Sequence, residues 1–282
     1  MSTNITTFKL RFFPLLLVFG ISNAHSETAL ERGTYLVQSI VACGNCHTPK
    51  GPDGDLPDKE LAGMAPVEAN AMWTANGSNI TPDKETGIGR WTEEELTVAI
   101  REGLRPDGSI IGPPMPFKFY RQLSDEDVAA IVSYVRQVPA INNPVPESQY
   151  HVPLPPSYGP PLGEVPAVSR EDQVAYGAYL AGPLGHCVEC HSPMGPTGPD
   201  TENSLGAGGF VFEGPWGTSV STNITPNGLE HRTDEEIKAM ITQGQRPDGS
   251  PMMPPMPYGY YAKMNEADLD AIVAYLRQLP RK

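Results

Sequence analysis

Apolar positions recur at helical spacing in two matching places along the chain. Val128, Ile131, Val132 and Val135 stand at i, i+3, i+4 and i+7, and Leu269, Ile272, Val273 and Leu276 repeat the stripe. Such a stripe predicts an amphipathic helix. Ser124 and Asn265 stand where each helix would take its N-cap. Upstream, Thr92-Glu93-Glu94-Glu95 and Thr233-Asp234-Glu235-Glu236 are capping-box strings, and Gly103 and Gly244 sit where those helices should stop. An opening helix is expected around Gly33, Tyr35 and Leu36, and again around Gly177, Tyr179 and Leu180. Strand signals are scarce. The pattern predicts mainly α units with long loops.

These matches extend into an internal duplication. Residues 105–139 align with 246–280 at an offset of 141, with 18 of 35 positions identical. Farther upstream the offset is 144. It pairs Cys43 with Cys187 and Asn79-Ile80-Thr81-Pro82 with Asn223-Ile224-Thr225-Pro226. The change of offset falls near Asp83–Arg90, in an expected surface loop, where a deletion is tolerated. Two units are therefore expected, at 25–139 and 169–282. Between them, 140–168 is dense in proline, including Pro144, Pro146, Pro153, Pro155, Pro156, Pro160, Pro161 and Pro166. Proline fixes φ and removes a backbone donor, so an extended connector is expected there.

Residues 1–24 have the pattern of an export signal. Lys9 and Arg11 precede an apolar run from Phe12 to Ile21, and Ser22-Asn23-Ala24 fits a small-x-small cleavage site. Cleavage after residue 24 or 26 is expected. The run is too short to span a bilayer, which takes ~20 residues, and no later segment is apolar enough. The formal charge is −13, and loss of Lys9 and Arg11 takes it two further, to −15. That balance argues against nucleic-acid binding, which needs a basic surface.

All four cysteines of the chain lie in two short strings, Cys43-Gly44-Asn45-Cys46-His47 and Cys187-Val188-Glu189-Cys190-His191. C-x-x-C-H is the attachment pattern of a c-type haem: two thiols form thioethers with the porphyrin and the adjacent His binds the iron. One structural zinc site or redox dithiols are the alternatives. A zinc ribbon seldom places His after both second cysteines, and no βαβ pattern surrounds either string. Two covalently bound haem c groups are expected on Cys43, Cys46, Cys187 and Cys190, with His47 and His191 as iron ligands. Export agrees with this, since c-type haem is attached outside the bacterial cytoplasm.

The second ligand on each iron follows from the repeat. Of ten methionines only Met115 and Met256 map onto each other, both inside Pro-Pro-Met-Pro. Flanking prolines hold a loop at low entropy cost. His/Met ligation raises the potential and leaves no open coordination position. Met253 and then Met252 are the competitors for the second unit. His151 and His231 have no counterpart in the other copy and should be exposed. Asn79, Thr81, Arg105 and Tyr120, with their counterparts Asn223, Thr225, Arg246 and Tyr261, are candidates to hold haem propionates or simply to build turns.

The string Asn79-Ile80-Thr81-Pro82-Asp83-Lys84-Glu85-Thr86-Gly87-Ile88-Gly89 with Trp91, and the Pro-Asp-Gly…Pro-Met-Pro…Leu-Ser-Asp-Glu-Asp series ending at Pro139, resemble the c-type cytochrome subunits of bacterial alcohol, gluconate and aldehyde dehydrogenases. The resemblance implies two tandem class I cytochrome c domains, mainly α, joined by the Pro-rich linker. It implies an electron carrier rather than an enzyme. A dehydrogenase would be the donor, and an oxidase or quinone-linked acceptor would take the electrons. Those subunits typically carry three haem units, whereas two are seen here, and membrane association should be peripheral at most. The rival expectation is a dihaem peroxidase, which needs one iron open; matched Met loops argue against it.

Overall fold

The computed structural model describes Met1, residues 27–196 and residues 198–282. The export signal expected at 1–24 lies outside the described residues.

The expected helices form with the expected caps. In the first half, α1 spans Ala29–Gln38 behind a Thr28/Glu31 capping box. The short turn α2 spans Gly44–His47, and α3 spans Glu93–Glu102. Thr92 and Glu95 cap α3 reciprocally, and Gly103 ends it at φ 67°. The turn α4 spans Phe117–Tyr120, and α5 spans Asp125–Val135, with the Ser124 side chain accepting from Asp127 N–H. The second half repeats the series. Helix α6 spans Gln173–Tyr179 and winds on as a π-helical stretch, Leu180–Leu184, around Pro183. Then come α7 Cys187–Cys190, α8 Pro226–Leu229, α9 Asp234–Gln243, α10 Tyr258–Tyr261 and α11 Glu266–Leu276. Thr92 satisfies an otherwise orphan N–H, so Thr92→Ala should cost about 1 kcal/mol. A fall in the denaturation midpoint of the haem-loaded protein at unchanged slope would show it.

In each half the opening helix crosses the last one, α1 on α5 and α6 on α11. A Cβ on Gly33 would lie 1.9 Å from the Ala130 carbonyl oxygen, and one on Gly177 would lie 1.9 Å from that of Ala271. Backbone meets backbone there, and only glycine permits it. Leu36, Leu123, Ile131, Leu180, Ile272 and Leu276 are among the buried side chains of one continuous core.

The loops hold more strand than the sequence suggested. Short antiparallel pairs form between β1 Lys50–Gly51 and β2 Gly54–Asp55, and between β6 Met194–Gly195 and β7 Gly198–Pro199. Longer hairpins join β3 Met64–Ala69 to β4 Trp73–Gly77, and β8 Val211–Gly214 to β9 Gly217–Val220. These strands carry little alternation, and turn geometry sets their register. A third strand, β5 Gln149–Tyr150, comes from the proline-dense stretch and pairs with β4. The rest of that stretch lies along the first unit. Tyr150 Oη donates to the Pro113 carbonyl at 2.8 Å, and Tyr158 Oη to the Ile111 carbonyl at 2.8 Å. The Tyr158 ring stacks on Phe117 with centroids 4.6 Å apart.

The two halves meet through contacts that repeat with roles exchanged. Tyr35 Oη donates to Asp268 at 2.7 Å and accepts from Asn265 N–H at 3.2 Å. Its counterpart Tyr179 donates to Asp127 at 2.8 Å and accepts from Ser124 N–H at 3.1 Å. This is the logic of an isologous dimer written into one chain. The symmetry breaks at Arg32. Arg32 pairs with buried Asp127 through two bonds, at 2.7 and 3.1 Å, and donates to Tyr176 Oη at 3.2 Å. Tyr176 occupies the place equivalent to Arg32, so Asp268 has no matching guanidinium.

Candidate haem sites

A single helical turn carries each cysteine pair. Cys43 and Cys46 are three residues apart and His47 four from Cys43, so the three side chains leave one face. Cys187, Cys190 and His191 are arranged alike around α7. The backbone around each turn is clamped. Gly63 N–H donates to the His47 carbonyl at 2.7 Å, and Gly208 N–H to that of His191 at 2.8 Å. A Cβ on Gly77 would lie 1.9 Å from the Cys46 carbonyl oxygen.

Both imidazoles are fixed from behind. His47 Nδ1 lies 2.7 Å from the Ser78 carbonyl oxygen, and His191 Nδ1 lies 2.8 Å from that of Thr222. A carbonyl only accepts, so Nδ1 carries the proton and Nε2 keeps its lone pair. Desolvation holds both rings below the ordinary histidine range, with the carbonyl bond opposing it more weakly. A neutral ring with a free Nε2, oriented by a backbone carbonyl, is the form that binds iron. Sequence reasoning missed Ser78 and Thr222. They share the 144 offset, but a backbone carbonyl has no side-chain signature.

In the second unit His191 and Cys187 line an apolar cavity together with Met256, Tyr261 and Met252. Met253, the first competitor by sequence, is 42% exposed, so Met252 is the nearer rival to Met256. In the first unit Met115 is partly buried against the core. His231 is exposed, as is His151.

The cysteines do not suit the rival chemistries. Desolvation pushes the Cys43 and Cys190 thiols up to about 12 and those of Cys46 and Cys187 up to about 11. A redox dithiol needs the opposite shift. Among the described residues, no three His, Cys, Asp or Glu side chains converge as a metal-ion site. A thiol, an oriented imidazole and a thioether around an apolar cavity, with the second thiol three residues along the same turn, fit a covalently held haem.

The repeated polar residues mostly build the loops. Asn79 Oδ1 accepts from Thr81 N–H at 2.9 Å and from its hydroxyl at 2.7 Å, while Asn79 Nδ2 donates to the Ile141 carbonyl at 2.7 Å. Asn223, Thr225 and the Lys282 carbonyl repeat this. Arg105 and Arg246 brace their own turns through the Ile110 and Pro251 carbonyls. Tyr120 and Tyr261 differ: both are buried, and desolvation raises both phenols well above the usual range, with their own motif's cysteines adding to the rise.

The cytochrome c family model matches residues 30–139 and again 174–280. The chain belongs to the cytochrome c family. It is 31% identical over 278 residues to the fructose dehydrogenase cytochrome subunit of Gluconobacter japonicus, covering 93% of this chain and 54% of that protein. It is 30% identical over 289 residues to the cytochrome c subunit of the quinone alcohol dehydrogenase of Gluconobacter oxydans (strain 621H), covering 93% and 57%. It is also 27% identical over 252 residues to a diheme cytochrome c-type protein of Cereibacter sphaeroides, covering 84% and 82%. The chain thus spans about half the length of the two dehydrogenase subunits. As a cytochrome c with two matched regions, the protein is an electron-transport protein with two covalently bound haem c groups. Among the described residues no helix is long and apolar enough to cross a membrane.

Proposed function

We propose that the protein is an exported carrier, working in the periplasm, that takes electrons from a dehydrogenase and passes them toward quinone or a terminal oxidase. Residues 25–139 and 169–282 form its two haem units, with 140–168 joining them. Cys43 and Cys46 hold one haem, and Cys187 and Cys190 hold the other. His47 with Met115, and His191 with Met256, would hold the two irons. The bound haem supplies the chemistry, a one-electron change at iron. The chain's residues attach it, orient the imidazoles through Ser78 and Thr222, and keep the surroundings apolar. No side chain is assigned acid, base or nucleophile work.

The observation that carries this reading is the placement of His191 and Met256 on one apolar cavity, with Nδ1 of the His already tied to a carbonyl. Two protein ligands to each iron would leave no position for a substrate. The relatives named as dehydrogenase cytochrome subunits support the donor class.

The test is to reduce the protein and mix it separately with peroxide and with a candidate redox partner. Slow oxidation by peroxide is expected, together with fast exchange with a basic partner. The exchange rate should fall as salt rises, because a net charge of −15 steers the encounter. Rapid catalytic turnover of peroxide by the fully loaded protein would replace the carrier reading with a dihaem peroxidase.

A further inference from the structure

The interface between the halves runs between the two C-x-x-C-H turns. Ile40 precedes Cys43 by three residues, yet it is a wall of the second unit's cavity, beside Cys187 and His191. Its Cδ1 would lie only 2.7 Å from a Cβ placed on Gly185. Tyr120, buried in the first unit, meets the His186 ring edge-on with centroids 6.1 Å apart, and His186 adjoins Cys187. From the other side, Tyr260 of α10 sets its hydroxyl on Gly44, inside the first motif: a Cβ there would lie 2.3 Å from the Tyr260 oxygen. Its neighbour Tyr261 lines the second cavity.

A polar latch holds Tyr260 in that place. Its hydroxyl donates to Asp55, which also pairs with Lys50. Lys50 Nζ in turn donates to the Gly44 carbonyl at 3.3 Å and lies 5.9 Å from the centre of the Tyr260 ring. The latch is one-sided. At the equivalent positions the second motif has Val188 for Gly44, and the first unit has Phe119 for Tyr260; both are buried. A hydroxyl on a glycine thus occurs only on the first motif's side.

We propose that Tyr260 is the positioning residue that sets the separation of the two haem groups across this interface, and with it the rate of electron exchange between them. The proposal rests on the assignment of both C-x-x-C-H turns as attachment sites. One electron leaves the reduced site and enters the oxidised one, with no bond made or broken. The rate of such a step falls exponentially with edge-to-edge distance, so a residue that sets how closely α10, which lines the second cavity, approaches the first motif controls it. Asp55 and Lys50 act by holding Tyr260.

The experiment uses the haem-loaded protein. Dipolar coupling between the two ferric centres is read by pulsed electron paramagnetic resonance, which needs no turnover. Interhaem exchange is read after photoreduction of a small fraction of the haem. Gly44→Ala pushes α10 outward and should weaken the coupling and slow exchange severalfold, because the rate falls exponentially with the added distance. Tyr260→Phe keeps the ring and drops the clashing oxygen. It also drops the bond to Asp55, so alone it should slow exchange severalfold, as Asp55→Ala does; added to Gly44→Ala it removes the clash and should leave the double variant no slower than Tyr260→Phe alone. Asp55→Ala alters an exposed position that does not threaten folding, and it should slow exchange severalfold by releasing the ring. If Gly44→Ala fails to load haem, Asp55→Ala decides alone.

Wild-type coupling and rate in Asp55→Ala, or an exchange rate that rises with protein concentration, would overturn the proposal. So would a Gly44→Ala/Tyr260→Phe double variant slower than Tyr260→Phe alone. Absence of covalent haem at Cys43 and Cys46 in the wild type would instead overturn the site assignment beneath it.

Discussion

Replacing Met256 by Ala should remove about half of the near-infrared sulfur-to-iron charge-transfer band of the ferric protein, and Met115→Ala should remove the other half, because each iron is expected to carry one thioether. The potential of the altered haem should fall in each case, since the thioether favours ferrous iron. The altered site should also bind added imidazole or azide, which wild-type sites with two protein ligands should resist. Met252 is the informative control. It lines the same cavity as Met256 and His191, so Met252→Ala should change packing while the whole band remains. A full band in Met256→Ala with a halved one in Met252→Ala would move the ligand four residues upstream. Proximity alone does not separate the two methionines. What separates them is the internal repeat: Met256 has a counterpart in Met115, and Met252 has none.

A comparable loss, in stability rather than spectrum, is expected at the helix crossings. Gly33→Ala places a methyl where a Cβ lies 1.9 Å from the Ala130 oxygen and 3.1 Å from Tyr134 Cβ. Neither neighbour is the free end of a side chain, so α1 must move off α5 as a body. Overpacking of this kind costs about 1–3 kcal/mol and occasionally more, and about 3 kcal/mol is expected here. The same holds for Gly177→Ala against Ala271 and Tyr275. Gly259→Ala is the comparison, because a Cβ there meets nothing within 4 Å. It should be neutral, or stabilise by roughly 0.5 kcal/mol through the unfolded chain. Denaturant unfolding of the three loaded variants would test the crossing. Equal midpoints for Gly33→Ala and Gly259→Ala would show that α1 does not approach α5 so closely.

The local signals in the chain were legible because they act within one turn of helix. Thr92 reaches Glu95, Ser124 reaches Asp127, and Gly103 reverses the chain at its own φ. The cysteine strings were legible for the same reason, since two thiols and an imidazole within five residues need no tertiary fold to lie on one side. The duplication then extended these local signals to the Met115/Met256 pair.

What the sequence left open depends on chain closure over longer spans. The carbonyls that orient His47 and His191 come from 31 residues away in each unit. Hairpins with little alternation took their register from the turns and from β5, which arrived from a proline-dense stretch expected only to be extended. The repeat promised two similar units, but it was silent on how they would meet. That was decided by shape: Gly33 and Gly177 let their helices cross backbone to backbone, and Tyr35 and Tyr179 reach carboxylates of the opposite half, 233 and 52 residues distant in the chain. A short-range pattern records which groups can cap, ligate or turn. Only the packed chain determines which oxygen faces which nitrogen across an interface, because that choice is set by the excluded volume of everything between them.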